Sequence, residues 1–136
     1  MTFREAKSAD RDAVIALWQV CGLTRAWNDP VMDFDFALAG ATSTVLVHEI
    51  EAEIVATVMI GHDGHRGAIY YLAVAPHHRH KGLGRAAVVA AENNLRKLGV
   101  WKINLMIRNE NEAAIGFYKA IGFENNAVTS MGKKVG

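Results

Sequence analysis

The chain has 136 residues, 51% hydrophobic and 21% charged, with a formal net charge of +1 and one cysteine. That length suits one domain over residues 1–136 with its own core, and the near-neutral balance argues against nucleic-acid or membrane-surface partners, which need a broad basic field. Cys21 has no internal disulfide partner, residues 1–5 lack the apolar stretch of a signal peptide, and no apolar run reaches the ~20 residues of a membrane span, so the expected setting is the cytoplasm.

Taken in order, the patterning predicts alternating strands and helices. Residues 2–6 form a short strand, and 10–21 a helix with Val14, Leu17, Trp18 and Cys21 on one face. Trp27-Asn28-Asp29-Pro30 is a turn before a short helix over 31–39. Residues 44–49 and 54–61 make a hairpin, and 68–75 a third strand after the turn from His62 to Gly67. A helix over 84–98 places Ala87, Val88, Ala91, Leu95 and Leu98 together and stops at Gly99. Residues 101–107 alternate Ile103, Leu105 and Ile107 as a strand. The last helix, 111–121, is capped by Asn111 and ends at Gly122, and the tail 123–135 is expected to return as one or two strands. The fold class is α/β, a mixed central sheet flanked by helices.

The most informative segment joins the strand over 68–75 to its helix. It runs Pro76-His77-His78-Arg79-His80-Lys81-Gly82-Leu83-Gly84. Glycines permit close backbone approach and φ > 0. The first N–H groups of a helix lack internal partners and stand at its positive dipole end. Arg79 and Lys81 add mobile charge, so the segment is built as an anion cradle whose natural guest is a pyrophosphate.

Read as Arg-x-x-Gly-x-Gly, the residues Arg79, Gly82 and Gly84 resemble the acyl-CoA pyrophosphate loop of the GNAT N-acetyltransferase superfamily. The segment from Asn111 to Phe123 resembles that family's last helix, in the family's order and separation. The resemblance covers nearly the whole chain and implies a GNAT fold and acetyl transfer from acetyl-CoA to a primary amine in a ternary complex. It implies that Arg79, His80, Lys81, Gly82, Leu83, Gly84 and Arg85 hold the pyrophosphate, that the main chain of Leu72 and Val74 pairs with the pantetheine arm, and that Asn111 contacts that arm. Tyr118 would protonate the departing thiolate. Expected partners are a small-molecule or peptide amine, with a monomer or homodimer as the assembly and no metal, the crowding of His77, His78 and His80 without nearby carboxylates being unsuited to one.

The general base is where this chain departs from the family. Ala68 stands where many relatives place a catalytic glutamate, and Tyr70 on the same pleat face is a poor base near neutrality. Asp63 and His65 in the turn, and Asp29 before the second helix, are the other candidates for the base; with Asn28 and Tyr70 they are also the candidates for binding the acceptor. The missing carboxylate favours amines of low pKa, which are partly neutral without a base. Trp27-Asn28-Asp29-Pro30 and the turn from Asp63 to Gly67 together resemble a bacterial GNAT subgroup whose substrate the resemblance does not supply.

Two readings of other classes remain. A non-catalytic acyl-CoA sensor would need no base. An NAD(P) oxidoreductase is suggested by Gly82-Leu83-Gly84-Arg85-Ala86-Ala87, which matches Gly-x-Gly-x-x-Ala. That fingerprint sits directly after its strand with an acidic residue about 20 positions on. Here seven residues separate Val74 from Gly82, and Lys102 and Asn104 occupy the later positions.

Overall fold

A computed structural model describes residues 1–136, which divide into two compact units, residues 1–104 and residues 105–136. In the first unit β1 (Arg4–Glu5), β2 (Ser43–Ile50), β3 (Glu53–His62), β4 (Gly67–Val74) and β5 (Ile103–Asn104) form one sheet in that order. All neighbours are antiparallel except β4 and β5. A parallel neighbour needs a crossover connection, and α3 (Leu83–Lys97) supplies it. Gly67 shows how closely the two strands meet this crossover: a Cβ there would lie 3.0 Å from both Leu95 Cδ1 and Val100 Cγ1.

The sheet is apolar on both faces. Val45, Val47, Val55, Thr57 and Ala73 alternate with Leu46, Val58 and Ile60 along the strands, and all are buried. The first set packs with α1 (Arg11–Val20) and α2 (Pro30–Ala39) through Val14, Trp18 and Phe34. The α3 stripe of Ala87, Val88, Ala91 and Leu95, spaced at helical period, is buried as well. Asp29 opens α2 by accepting from the Val31 N–H at 2.9 Å, and Pro30 at the first helical position needs no donor partner.

One irregularity organises the centre. Thr57 pairs with Ala73 and Met59 with Tyr70, so Val58 alone opposes two residues, Tyr71 and Leu72. This is a β-bulge in β4, and Tyr71 adopts φ 50°, a left-handed conformation uncommon outside glycine. A buried polar chain holds it. Trp18 Nε1 donates to Thr57 Oγ1 at 3.1 Å, and Thr57 Oγ1 donates to the Tyr71 carbonyl at 3.2 Å. The Tyr71 ring stacks on the Trp18 indole with centroids 3.9 Å apart.

The second unit holds α4 (Glu112–Ala120), opened by Asn111, whose side chain accepts from the Ala114 N–H at 3.1 Å. Two expectations fail. The strand predicted over 101–107 pairs only at Ile103 and Asn104, opposite Gly67 and Ala68; alternation marks which way side chains face, but a strand lasts only as long as a neighbour accepts its backbone bonds. The tail takes no strand, and Val128, Met131 and Val135 are exposed. Their spacing of three and four lacks the period of two that lets one face of a strand be buried.

Thr57→Val keeps the shape but removes the hydroxyl that both accepts and donates. A buried indole N–H and the bulge carbonyl would lose their partners, so the variant should lose about 2–4 kcal/mol of stability, read as a fall of several degrees in Tm.

Candidate functional site

The segment expected to cradle an anion joins the end of β4 to the start of α3. After β4 the chain makes a 3-10 turn at Pro76–His78, passes through His80 at φ 64°, and enters α3 from Gly82 at φ 81°. Gly82 supplies no side-chain cap, and the first turn of α3 carries no acidic residue, so nothing from the chain's own carboxylates neutralises the positive helix end. Arg79, His80, Lys81 and Arg85 are exposed, whereas Leu83 is buried and anchors the helix start. The chain's ion pairs use Arg4, Arg11 and His77 as cations and leave Arg79, Lys81 and Arg85 without an acidic partner. Backbone donors at a helix N-terminus, flanked by unpaired cations, suit a phosphate-bearing ligand.

Arg79 is less mobile than its sequence setting suggests. Its Nε donates to the Val74 carbonyl at 3.3 Å, and its Nη2 lies 3.7 Å from Cys21 Sγ, which itself donates to the same carbonyl at 3.3 Å. One expected pantetheine-pairing group, the Val74 carbonyl, is thereby engaged by two donors, and Cys21 serves as a packed thiol at the end of β4.

The acceptor candidates are sorted by what their polar atoms already do. Asp63 is exposed, and its Oδ1 accepts from the N–H groups of His65 and Arg66, both at 2.8 Å. Those bonds hold its carboxyl below the usual carboxylate range and mark it as the organiser of the turn. His65 is exposed in the same turn. That turn precedes Gly67, and Tyr71 at the bulge lies four residue steps further along the strand, roughly 13 Å. The Asp29 carboxylate caps α2. Ala68 pairs with Gly61 and Asn104, so β4 presents no carboxylate at that position.

Asn28 belongs to a cluster that sequence reasoning missed. Its Nδ2 donates to Asp33 Oδ2 at 2.5 Å and to Tyr71 Oη at 3.0 Å, and Tyr71 Oη donates to Asp33 Oδ2 at 2.7 Å. Burial, then the Asp33 carboxylate, push the Tyr71 phenol well above its ordinary range, so the hydroxyl stays protonated and donates. Tyr70, its neighbour across the bulge, is 46% exposed. The available signals were faint: two consecutive tyrosines where one strand face should take only one, and an aspartate one turn after the α2 cap.

In the second unit, Tyr118 lies on α4 with its ring edge-on to Phe117 and Phe123, centroids 5.0 and 5.4 Å away. Burial pushes its phenol up to about 12, so it is protonated throughout the neutral range. Asn111 is the cap of the same helix.

The model of the acetyltransferase (GNAT) family matches residues 10–123. The chain belongs to that family. It is 42% identical over 135 residues to an acetyltransferase of Pectobacterium atrosepticum, covering 99% of this chain and 96% of that one. Among solved structures it is similar in fold to the ribosomal-protein-S18-alanine N-acetyltransferase of Escherichia coli, with TM-score 0.77, 24% identity, and 90% of this chain and 77% of that one covered. It is also similar in fold to an aminoglycoside N-acetyltransferase in complex with CoA, with TM-score 0.80, 12% identity, and 98% and 99% coverage. This membership, with seven residues between β4 and Gly82, removes the dinucleotide-dehydrogenase reading. No helix is long and apolar enough to cross a membrane.

Proposed function

We propose that this GNAT protein transfers the acetyl group of acetyl-CoA directly to a primary amine. The observation that carries the reading is the α3 entrance: a left-handed glycine, an uncapped helix start and three cations without acidic partners, in a chain of the acetyltransferase family. A fold neighbour solved in complex with CoA supports the choice of donor. The loop Arg79–Arg85 would take the pyrophosphate, with Lys81 and Arg85 supplying charge and the α3 N–H groups supplying donors. The main chain of Leu72 in the bulge and of Val74 would align the pantetheine arm and the thioester, and Asn111 would contact that arm. Holding donor and acceptor together supplies much of the rate.

In the reaction the amine nitrogen forms a bond to the acetyl carbon, the carbon–sulfur bond breaks, the sulfur ends with a proton and the nitrogen gives one up. Tyr118 is the proposed donor to sulfur. At about 12 its phenol lies above a thiol's reference value near 8.5, so full proton transfer to a free thiolate is uphill. Its contribution is therefore a hydrogen bond to the charge developing on sulfur, with the proton passing as the amine releases its own. With Ala68 on β4 and the Asp63 carboxylate organising a turn, amines already partly neutral remain the favoured nucleophiles.

Acetyl-CoA at 100 times its Kd should stabilise the wild type by ~2.7 kcal/mol and raise Tm by several degrees, whereas NAD and NADP should do little. Gly84→Val should abolish the acetyl-CoA shift while the apo Tm holds; an equal or larger response to a nicotinamide dinucleotide would overturn the donor assignment.

Tyr118→Phe retains the ring and its aromatic contacts. Turnover should fall roughly 10²-fold with acetyl-CoA affinity nearly unchanged. Turnover at the wild-type rate would leave Tyr118 a packing residue.

A further inference from the structure

The Asp33 carboxylate has a peculiar balance. Its Oδ2 accepts from both the Tyr71 hydroxyl and the Asn28 amide, yet it takes part in none of the chain's ion pairs. Arg11 reaches α2 but pairs with Asp35, two residues on. Asp33 is half-buried in the first turn of α2. Two neutral donors fix the carboxylate's orientation without neutralising it. A partly desolvated anion fixed in this way is prepared for a cation that the chain itself does not provide.

Its surroundings describe that cation. Tyr71 carries the bulge in its backbone and touches Asp33 with its hydroxyl, so a full tyrosine side chain separates the carboxylate from the β4 main chain. A group seated on Asp33 is therefore displaced from the strand that would align the thioester. It is also the wrong group to attack, because a carboxylate contact stabilises the protonated amine and removes its nucleophilicity. On α2, Phe36 follows Asp33 by three residues and Met32 precedes Phe36 by four, the spacings that place side chains side by side on a helix. Phe36 is 84% exposed and Met32 68% exposed. An apolar border beside an oriented anion suits an ammonium at the end of a methylene stem.

We propose that Asp33, held by Tyr71 and Asn28 beside the β4 bulge, anchors a second ammonium of the acceptor, which makes the preferred acceptor an aliphatic diamine acetylated at its distal nitrogen. This rests on the acetyl-transfer reading above.

The test compares 1,5-diaminopentane with 1-aminopentane, which shares the stem and lacks the second charge. Binding is measured by calorimetry in the presence of CoA, and transfer by thiol release from acetyl-CoA. The wild type should bind the diamine at least about tenfold more tightly, the range of one charge-assisted contact, with a matching difference in KM. Asp33→Asn keeps an oxygen to accept from Tyr71 and Asn28 but removes the charge, and should bring the two affinities within about threefold. Phe36→Lys, at an exposed position that cannot disturb the core, should reduce the same preference by placing a cation beside Asp33. Equal affinity for the two amines, no binding of the diamine, or a preference that survives both substitutions would overturn the proposal. Asp33-dependent diamine binding without thiol release would sink the transfer reading and leave the anchor standing; thiol release with the monoamine and no diamine preference would do the reverse.

Discussion

A single hydroxyl, Thr57 Oγ1, stands at the junction of α1, β3 and the bulge in β4. It accepts from the Trp18 indole on α1 and donates to the Tyr71 carbonyl in the bulge, and it is fully buried. A β-bulge leaves part of a ladder unpaired, and an unpaired carbonyl in a dry core costs 1–3 kcal/mol. Thr57 meets that need from the neighbouring strand, and Trp18 meets the hydroxyl's own. The stacked Trp18 and Tyr71 rings then close the arrangement, so the left-handed residue at the bulge is held by hydrogen bonding and by packing together.

The bulge divides β4 into two halves with different tasks. Before it, Gly67 and Ala68 pair with β5, and a side chain at Gly67 would press on Leu95 of the crossover helix and on Val100. After it, Ala73 and Val74 lead into the basic turn and the α3 entrance. The extra residue turns Tyr71 toward α1 and α2, where its hydroxyl meets Asp33 and Asn28. One insertion in one strand thus links the end of the strand that leads into the basic turn to the carboxylate on the second helix.

Those facts explain which parts could be read from residues alone. The left-handed glycine and the helix it opens were legible because they are local: strand, proline, cations, two glycines and a helix lie within one short stretch, and each residue's contribution follows from its own backbone or charge. The helices were legible from period, and the Asn111 cap from its position before an apolar run. The Thr57–Tyr71 pair was not legible, because it depends on register between two strands and a threonine in an apolar strand carries no sign of its partner. The same holds for Asp33. Its role depends on a tyrosine 38 positions away, and that tyrosine reaches it only because the bulge breaks the strand's alternation. Asp63 and Asp29 stood out in the sequence as polar residues in turns, and turn-making is what their carboxylates are bonded to do.

The contrast among these aspartates carries a physical rule for reading acceptor sites. A carboxylate whose lone pairs are committed to backbone N–H groups is stabilised in its charged form, as the lowered range of Asp63 shows, and has little left to offer a ligand. A carboxylate paired with arginine, as Asp10 is with Arg4 at 2.8 Å, is likewise satisfied. Asp33 differs from both: its donors are neutral side chains, a phenol and an amide, and both converge on one oxygen. Such donors orient the anion and leave its charge uncompensated. In a chain whose β4 carries alanine where a base would be expected, an uncompensated carboxylate bordered by exposed apolar side chains on its helix suits holding a cation rather than removing a proton. What such an anion lacks is a cation, which the proposed acceptor would supply as its second ammonium.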